Sequence, residues 1–170
     1  MILKGKAWKF GDGITTDHIQ PSQYFHLRGN LADQILLSKH VLEGAREDFP
    51  NLFNKGDFVA AGRNFGLGSS RESAPHMIKL AGLSAVLAKS FARIFFRNAI
   101  NIGLPLIICN TEKISEGDEL EVSLKDGIVD DKSQGIRIHF SPLPPIMTVI
   151  LNDGGLLKHV KKHDGFKIDG

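Results

Sequence analysis

Three glycines, Gly62, Gly66 and Gly68, lead into Ser69, Ser70 and Arg71 in the stretch "GRNFGLGSSRESAPHMIK", just where a helical pattern begins. A helix start leaves backbone N–H groups without partners and carries partial positive charge, so it holds anions. Gly66 and Gly68 let the backbone approach a ligand closely. The two serines add hydroxyls, and Arg71 adds a planar fork suited to a carboxylate or a phosphate. The competing reading is a serine N-cap with a surface arginine. The wording excludes three chemistries. A Walker A loop needs Gly-Lys-Ser/Thr, and here Gly68 is followed directly by Ser69. A nucleophile elbow needs Gly-x-Ser-x-Gly, and Leu67 and Arg71 stand in the glycine slots. A dinucleotide fingerprint needs a glycine where Arg71 stands. A carboxylate or phosphate site with a serine at its centre survives.

A second polar turn lies upstream in "GDGITTDHIQPSQYFHLRGN", where Asp12, Thr15, Thr16 and Asp17 cluster and Arg28 follows. Its competing reading is a set of Asx and Ser/Thr turns that satisfy the backbone. His18, His26 and His76 are the acid–base candidates; His76 falls inside a helical pattern and reads as structural or surface. Lys89, Ser90 and Arg93 fit a strand end and a helix start without catalysis.

The elements that must position these residues are legible from periodicity. Residues 2–10 suit a strand, and "LADQILLSKHVLEGAR" (31–46) suits a helix with Leu31, Ile35, Leu36 and Leu42 on one face. "GDFVAAGRN" holds a short strand before the glycine loop. A helix is expected from about Ser70 to Leu80, with Glu72 in its first turn and Gly82 as its stop. "LSAVLAKS" reads as a buried strand, "FARIFFRNAINIG" as a helix capped by Gly103, and "LPLIICN" as another buried strand. This alternation predicts partly parallel pairing with crossover helices. Then "DELEVSLKDGIVDD" and "GIRIHFSP" suggest antiparallel strands with a turn at Asp126 and Gly127. "PPIMTVILNDGGLLKHVKK" suggests a strand or short helix, a Gly-Gly turn and a basic helix. The expectation is one compact α/β domain over residues 1–170.

Composition narrows the classes further. The chain has 170 residues, enough for a sizeable core, with 42% apolar and 24% charged side chains. Its 21 basic and 19 acidic residues give a net charge of +2, with no Lys/Arg run to suggest a nucleic-acid surface. Cys109 is the only cysteine, so neither a disulfide framework nor a thiolate cluster is expected. No apolar run reaches membrane-span length and no signal-peptide core stands at residues 1–13, so the expected location is cytoplasmic, with no membrane partner.

Taken together, "GRNFGLGSSRE", "AKSFARIFFRNAINIGLP", "GDGITTDHIQP" and "LNDGGLLKHVKK" resemble the swivel domain of the aconitase family. Within that family the chain is similar to the free-standing small subunits of 3-isopropylmalate dehydratase and their homoaconitase relatives. The resemblance spans nearly the whole chain. It implies a swivelling β/β/α domain and a hydro-lyase that moves a hydroxyl between neighbouring carbons of a malate-type acid by dehydration and rehydration. It implies a larger partner subunit carrying a [4Fe–4S] cluster, with no cofactor on this chain. By position it implies Ser69 as the base and Arg71 as a ligand of a substrate carboxylate. Ser70 would assist through the backbone, Arg28 would be a further carboxylate ligand, and Tyr24, Phe25, His26 and Leu27 would be the loop that selects the substrate. Ser73 departs from the family's usual histidine, and Leu67 from its usual cysteine or glutamate. A serine base needs strong stabilisation of its oxyanion, and elimination needs a Lewis acid that one cysteine cannot organise, so a half-site awaiting a partner agrees with the residues. Isopropylmalate in leucine biosynthesis is the leading substrate. Homoaconitate, citramalate/methylmalate or dimethylmalate would use the same mechanism, and a stand-alone anion-binding module is the reading outside enzymes.

Overall fold

β1 (Ile2–Lys9) lies in the middle of a seven-stranded sheet and joins two halves of opposite character. On one side run β2 (Phe58–Ala61), β3 (Ala85–Ala88) and β4 (Leu106–Ile108), all parallel to one another and to β1. On the other side β5 (Glu119–Ser123), β6 (Ile128–Asp131) and β7 (Ile136–His139) pair antiparallel, so the order is β4-β3-β2-β1-β5-β6-β7. The structure is a computed structural model that describes residues 1–165; residues 166–170 and the side chain of Arg28 lie outside the described part.

The parallel half follows from its wording. "FVAA" and "AVLA" are buried at every position, as strands covered on both faces must be. Alternation then divides them between two cores. Val59, Ala61, Val86 and Ala88 join Met77, Ile78, Phe95 and Leu104 on one face. Phe58, Ala60, Ala85 and Leu87 join Val122, Val129 and Ile138 on the other. The crossovers are helices α3 (Ser73–Ala81) and α4 (Arg93–Ile102), each stopped by a left-handed glycine, Gly82 at φ +95° and Gly103 at φ +79°. The expected α/β class and partly parallel sheet are therefore present. The antiparallel turn also falls where expected, with Gly127 at φ +66° before β6.

Two helices differ from expectation. Between α1 (Thr16–Ile19) and β2, the chain forms α2 over Leu31–Ser38 only, capped by Asn30 and Asp33, and residues 39–45 are turns. Leu42 adopts φ +57° and its N–H donates to Ile19 O, while Gly44 sits where a Cβ would lie 3.0 Å from Asp17 O. Docking onto the upstream turn wins over continuing the helix. The apolar face shifts with it: Leu37, Val41 and Leu42 are buried, whereas Leu31, Ile35 and Leu36 are exposed. The other difference is α3, which begins at Ser73 rather than near Ser70, with Glu72 as N-cap.

The C-terminal stretch resolves into α5 (Pro145–Asn152), a Gly154–Gly155 turn and α6 (Leu156–His163). Among the described residues no helix is long and apolar enough to cross a membrane.

Candidate active site

Loops that follow β1, β2 and β3 emerge at the same edge of the sheet, the C-terminal edge of the parallel strands. Ligands of open α/β sheets collect there. The glycine loop after β2 is laced to its neighbours on both sides. Toward the first loop, Gly13 N–H donates to Arg63 O at 2.8 Å, Gly66 N–H to Ile14 O at 2.7 Å and Thr16 N–H to Leu67 O at 2.7 Å. Toward the loop after β3, Phe65 N–H donates to Ser90 O at 3.0 Å and Ala92 N–H to Phe65 O at 2.9 Å. Ser90 Oγ also accepts from Asn64 N–H at 2.8 Å, so that serine is structural.

The glycines are needed for this lacing. Gly66 has φ +83°, and a Cβ there would lie 2.2 Å from Cγ of Phe95. Gly68 has φ +111°, and a Cβ there would lie 2.9 Å from Oγ1 of Thr16.

This frame presents Ser69 and Ser70 on the exposed surface. Neither serine caps α3, because Glu72 takes that place and Arg71 N–H turns back to Ser69 O at 2.8 Å. Ser69 Oγ lies 3.5 Å from Oγ1 of Thr16, which is 1% exposed. Among the described residues the backbone N–H groups of Ser69 and Ser70 have no acceptor. Two free donors at a left-handed turn form the kind of concavity that holds an anion.

Arg71 is pinned beside them. Its Nη1 donates to Asp17 Oδ1, and its guanidinium lies 4.3 Å over the ring of Phe25. A guanidinium has five N–H donors, and among the described residues only Nη1 makes a hydrogen bond. The remaining donors are free for a bound carboxylate. Ser69, Ser70 and Arg71 thus stand together with Thr16, Asp17 and Phe25, and the two polar stretches of the sequence meet at one place.

The rest of the predicted set is dispersed. Tyr24 and Leu27 pack against the core. Tyr24 stacks on His40 with ring centroids 3.7 Å apart and donates to Glu43 Oε1 at 2.7 Å, and that carboxylate raises the Tyr24 hydroxyl above its ordinary pKa. His26 is exposed, its Nδ1 3.2 Å from Gln23 O. Arg28 closes the 3-10 segment Ser22–Arg28, which is kinked at the non-helical Leu27, and its side chain lies outside the described residues.

Of the histidines, His18 is spent on a cap, accepting at Nδ1 from Thr15 N–H at 3.1 Å. His76 is half-buried on α3, where desolvation and then the charge of Lys79 hold its imidazole below the ordinary range. A pairing missed in the sequence is Ser73 Oγ donating to Oε1 of the fully buried Gln20 at 2.6 Å. No local pattern links residues 53 apart.

The profile of the Aconitase C-terminal domain matches residues 38–111, which include the glycine loop and Ser69 to Arg71. A small subunit of 3-isopropylmalate dehydratase from Archaeoglobus fulgidus is 56% identical over 99% of this chain and 100% of its own length. One from Thermotoga maritima is 51% identical over 97% and 98%. The crystal structure of a 3-isopropylmalate dehydratase from Methanocaldococcus jannaschii superposes with a TM-score of 0.90 at 44% identity, covering 96% of both chains. Similarity of this depth along the whole length leaves one assignment: the chain belongs to the family of 3-isopropylmalate dehydratase small subunits, in the aconitase superfamily.

Proposed function

We propose that this chain is the small subunit of a hydro-lyase that interconverts 2- and 3-isopropylmalate, completing an active site on a larger, cluster-bearing subunit. The observation that carries the reading is the exposed Ser69, held on a left-handed glycine turn beside the anchored Arg71 and two N–H groups that have no acceptor among the described residues. A site built this carefully yet open to solvent is half a site.

In this reading Arg71 binds a substrate carboxylate through its free donors, and Asp17 and Phe25 keep the fork oriented. Ser69 Oγ, as the alkoxide, takes the proton from the carbon next to the one bearing the hydroxyl. The C–H electrons form the double bond, and the hydroxyl leaves from the neighbouring carbon. Return of proton and hydroxyl to exchanged carbons gives the isomer. The guanidinium and the free N–H groups stabilise the alkoxide, which a bare serine in water lacks. Thr16 Oγ1 orients Ser69 Oγ.

A Lewis acid for the departing hydroxyl belongs to the partner. Iron–sulfur clusters take about three or four thiolates, and Cys109 is the only cysteine. It is 7% exposed, and burial pushes its thiol up to about 12 against the opposing charge of Lys9. The residues here do not fit such a group.

Mixing the purified chain anaerobically with a cluster-bearing large subunit tests this. Alkene formation from 3-isopropylmalate, homocitrate and citramalate is followed for each chain alone and for both together. Activity only in the mixture and only on isopropylmalate is expected. Activity on another acid would move the substrate assignment, and silence on all three despite a formed complex would favour an anion-binding module. Ser69→Ala in the same complex should leave assembly intact and lower kcat by about 1,000-fold or more, the scale of losing a proton-transfer group at its positioned site.

A further inference from the structure

Far along the chain from the glycine loop, the α5–α6 hairpin brings together a carboxylate and two imidazoles that the proposed reaction does not use. Its Gly154–Gly155 turn is packed against the end of α4, where a Cβ at Gly155 would lie 2.7 Å from Asn101 O. Lys79 Nζ donates to the carbonyls of both Ile102 and Gly154. Asp153, the C-cap of α5, is therefore held at a fixed point. His159 and His163 stand one turn apart on α6, the spacing that puts two imidazoles on one helix face. Both reach the same oxygen: His159 Nδ1 lies 2.8 Å and His163 Nε2 2.9 Å from Asp153 Oδ2. One donor atom from each residue falls within 4.8 Å of the others.

We propose that Asp153, His159 and His163 bind one zinc-class divalent transition metal ion, which clasps the C-terminal helix α6 to α5. Two imidazole nitrogens and a carboxylate oxygen are the ligand set of such ions, and nitrogen donors disfavour magnesium and calcium. Burial grades across the site: the side chains of His159 and Asp153 are 0% and 5% exposed, and that of His163 is 26% exposed. Two ligands are thus fixed in a dry setting, and the third stands at the rim, where the ion enters and water completes the shell. A tetrahedral zinc ion with bonds of about 2.0–2.1 Å sets its ligand atoms about 3.3 Å apart, so each imidazole nitrogen must draw back from Oδ2 by about half an ångström. The exposed ring of His163 has the freedom to make that adjustment. Lys162 Nζ holds the other oxygen, Oδ1, at 2.6 Å, as an outer partner that orients a ligating carboxylate. The same hairpin packs on α4 through a small apolar cluster of Ile100, Ile150 and Leu151 with Leu156. The clasp would hold that packing together.

The full-length chain is stripped with chelator and titrated with Zn2+ against a chromophoric competitor, and with Co2+ by visible absorption. One Zn2+ per chain, a tetrahedral-type Co2+ spectrum, and a melting temperature raised by about 5–10 °C at a hundredfold excess over Kd are expected. His163→Gln, at the rim and tolerant of change, should stay folded, weaken Zn2+ binding at least tenfold and abolish the melting shift. Asp153→Asn should do the same if folded by circular dichroism. No binding to the wild-type chain at about 100 μM Zn2+, far above the range of built zinc sites, would overturn the proposal. So would binding that His163→Gln leaves unchanged.

Discussion

Replacing Arg71 by lysine keeps the positive charge and removes the planar fork that meets Asp17 on one side and offers donors on the other. The variant complex should lose about 100-fold in kcat/KM, the cost of trading a bidentate contact for a point charge. Asp17→Asn keeps the guanidinium charge and loosens only its anchor, so a smaller loss of about tenfold is expected. Steady-state kinetics on the assembled enzyme separate the two; equal losses would mean that Asp17 itself meets substrate. At this scale the residue types were readable and their pairings were not. Ser69, Ser70 and Arg71 stood out because their neighbours are glycines, but Asp17 lies 54 residues from Arg71 and Gln20 lies 53 from Ser73. Hydrogen bonds at such separations are created by the sheet that brings the loops together, and no local pattern records them.

Among the elements, the glycine loop carries the most risk. Gly66→Ala puts a Cβ at φ +83° against the Phe95 ring. Left-handed strain of about 1–2 kcal/mol and overpacking of about 1–3 kcal/mol should lower the melting temperature by roughly 5–15 °C. Activity of the complex should fall as well, because the displaced loop carries Ser69. Thermal melts and kinetics on the same variant check both halves. Strong punctuation places elements well: Gly82 and Gly103 end their helices, and two of the continuous apolar runs are fully buried parallel strands. The third, β4, lies at the sheet edge with Ile108 exposed instead of the expected buried strand. Residues 39–45 misled, because their helical spacing is real but Gly44 and Leu42 are recruited to dock on the upstream turn. α3 starts three residues later than its periodicity suggests for the same kind of reason, since Gly68 and the turn at Ser69 use residues that would otherwise extend it.

For the whole molecule, Cys109 reports on the integrity of the core. Burial pushes its thiol up to about 12, so at pH 8 the native chain holds it as the unreactive thiol. Iodoacetamide should spare the native chain and label it on unfolding; rapid native labelling would mean that the edge around β4 opens. The linkage has a definite sign. An unfolded cysteine titrates near 8.5, so between about pH 8.5 and 12 the unfolded chain releases a proton that the native chain keeps, and this group's contribution makes stability fall as pH rises. Denaturant midpoints measured from pH 8 to 10 should decline, and Cys109→Ala should flatten that decline. Composition, glycine punctuation and apolar runs were enough to determine the α/β class, the partly parallel pairing and the loop that bears the serines and arginine. Those features depend on local dihedral preference and on periodicity, which neighbouring residues carry. The central place of β1, the meeting of residues 11–20 with 62–72, the anchoring of Arg71 and the convergence of Asp153 with two histidines were decided by the tertiary structure. Each depends on contacts between distant segments, whose free energy comes from packing the whole sheet.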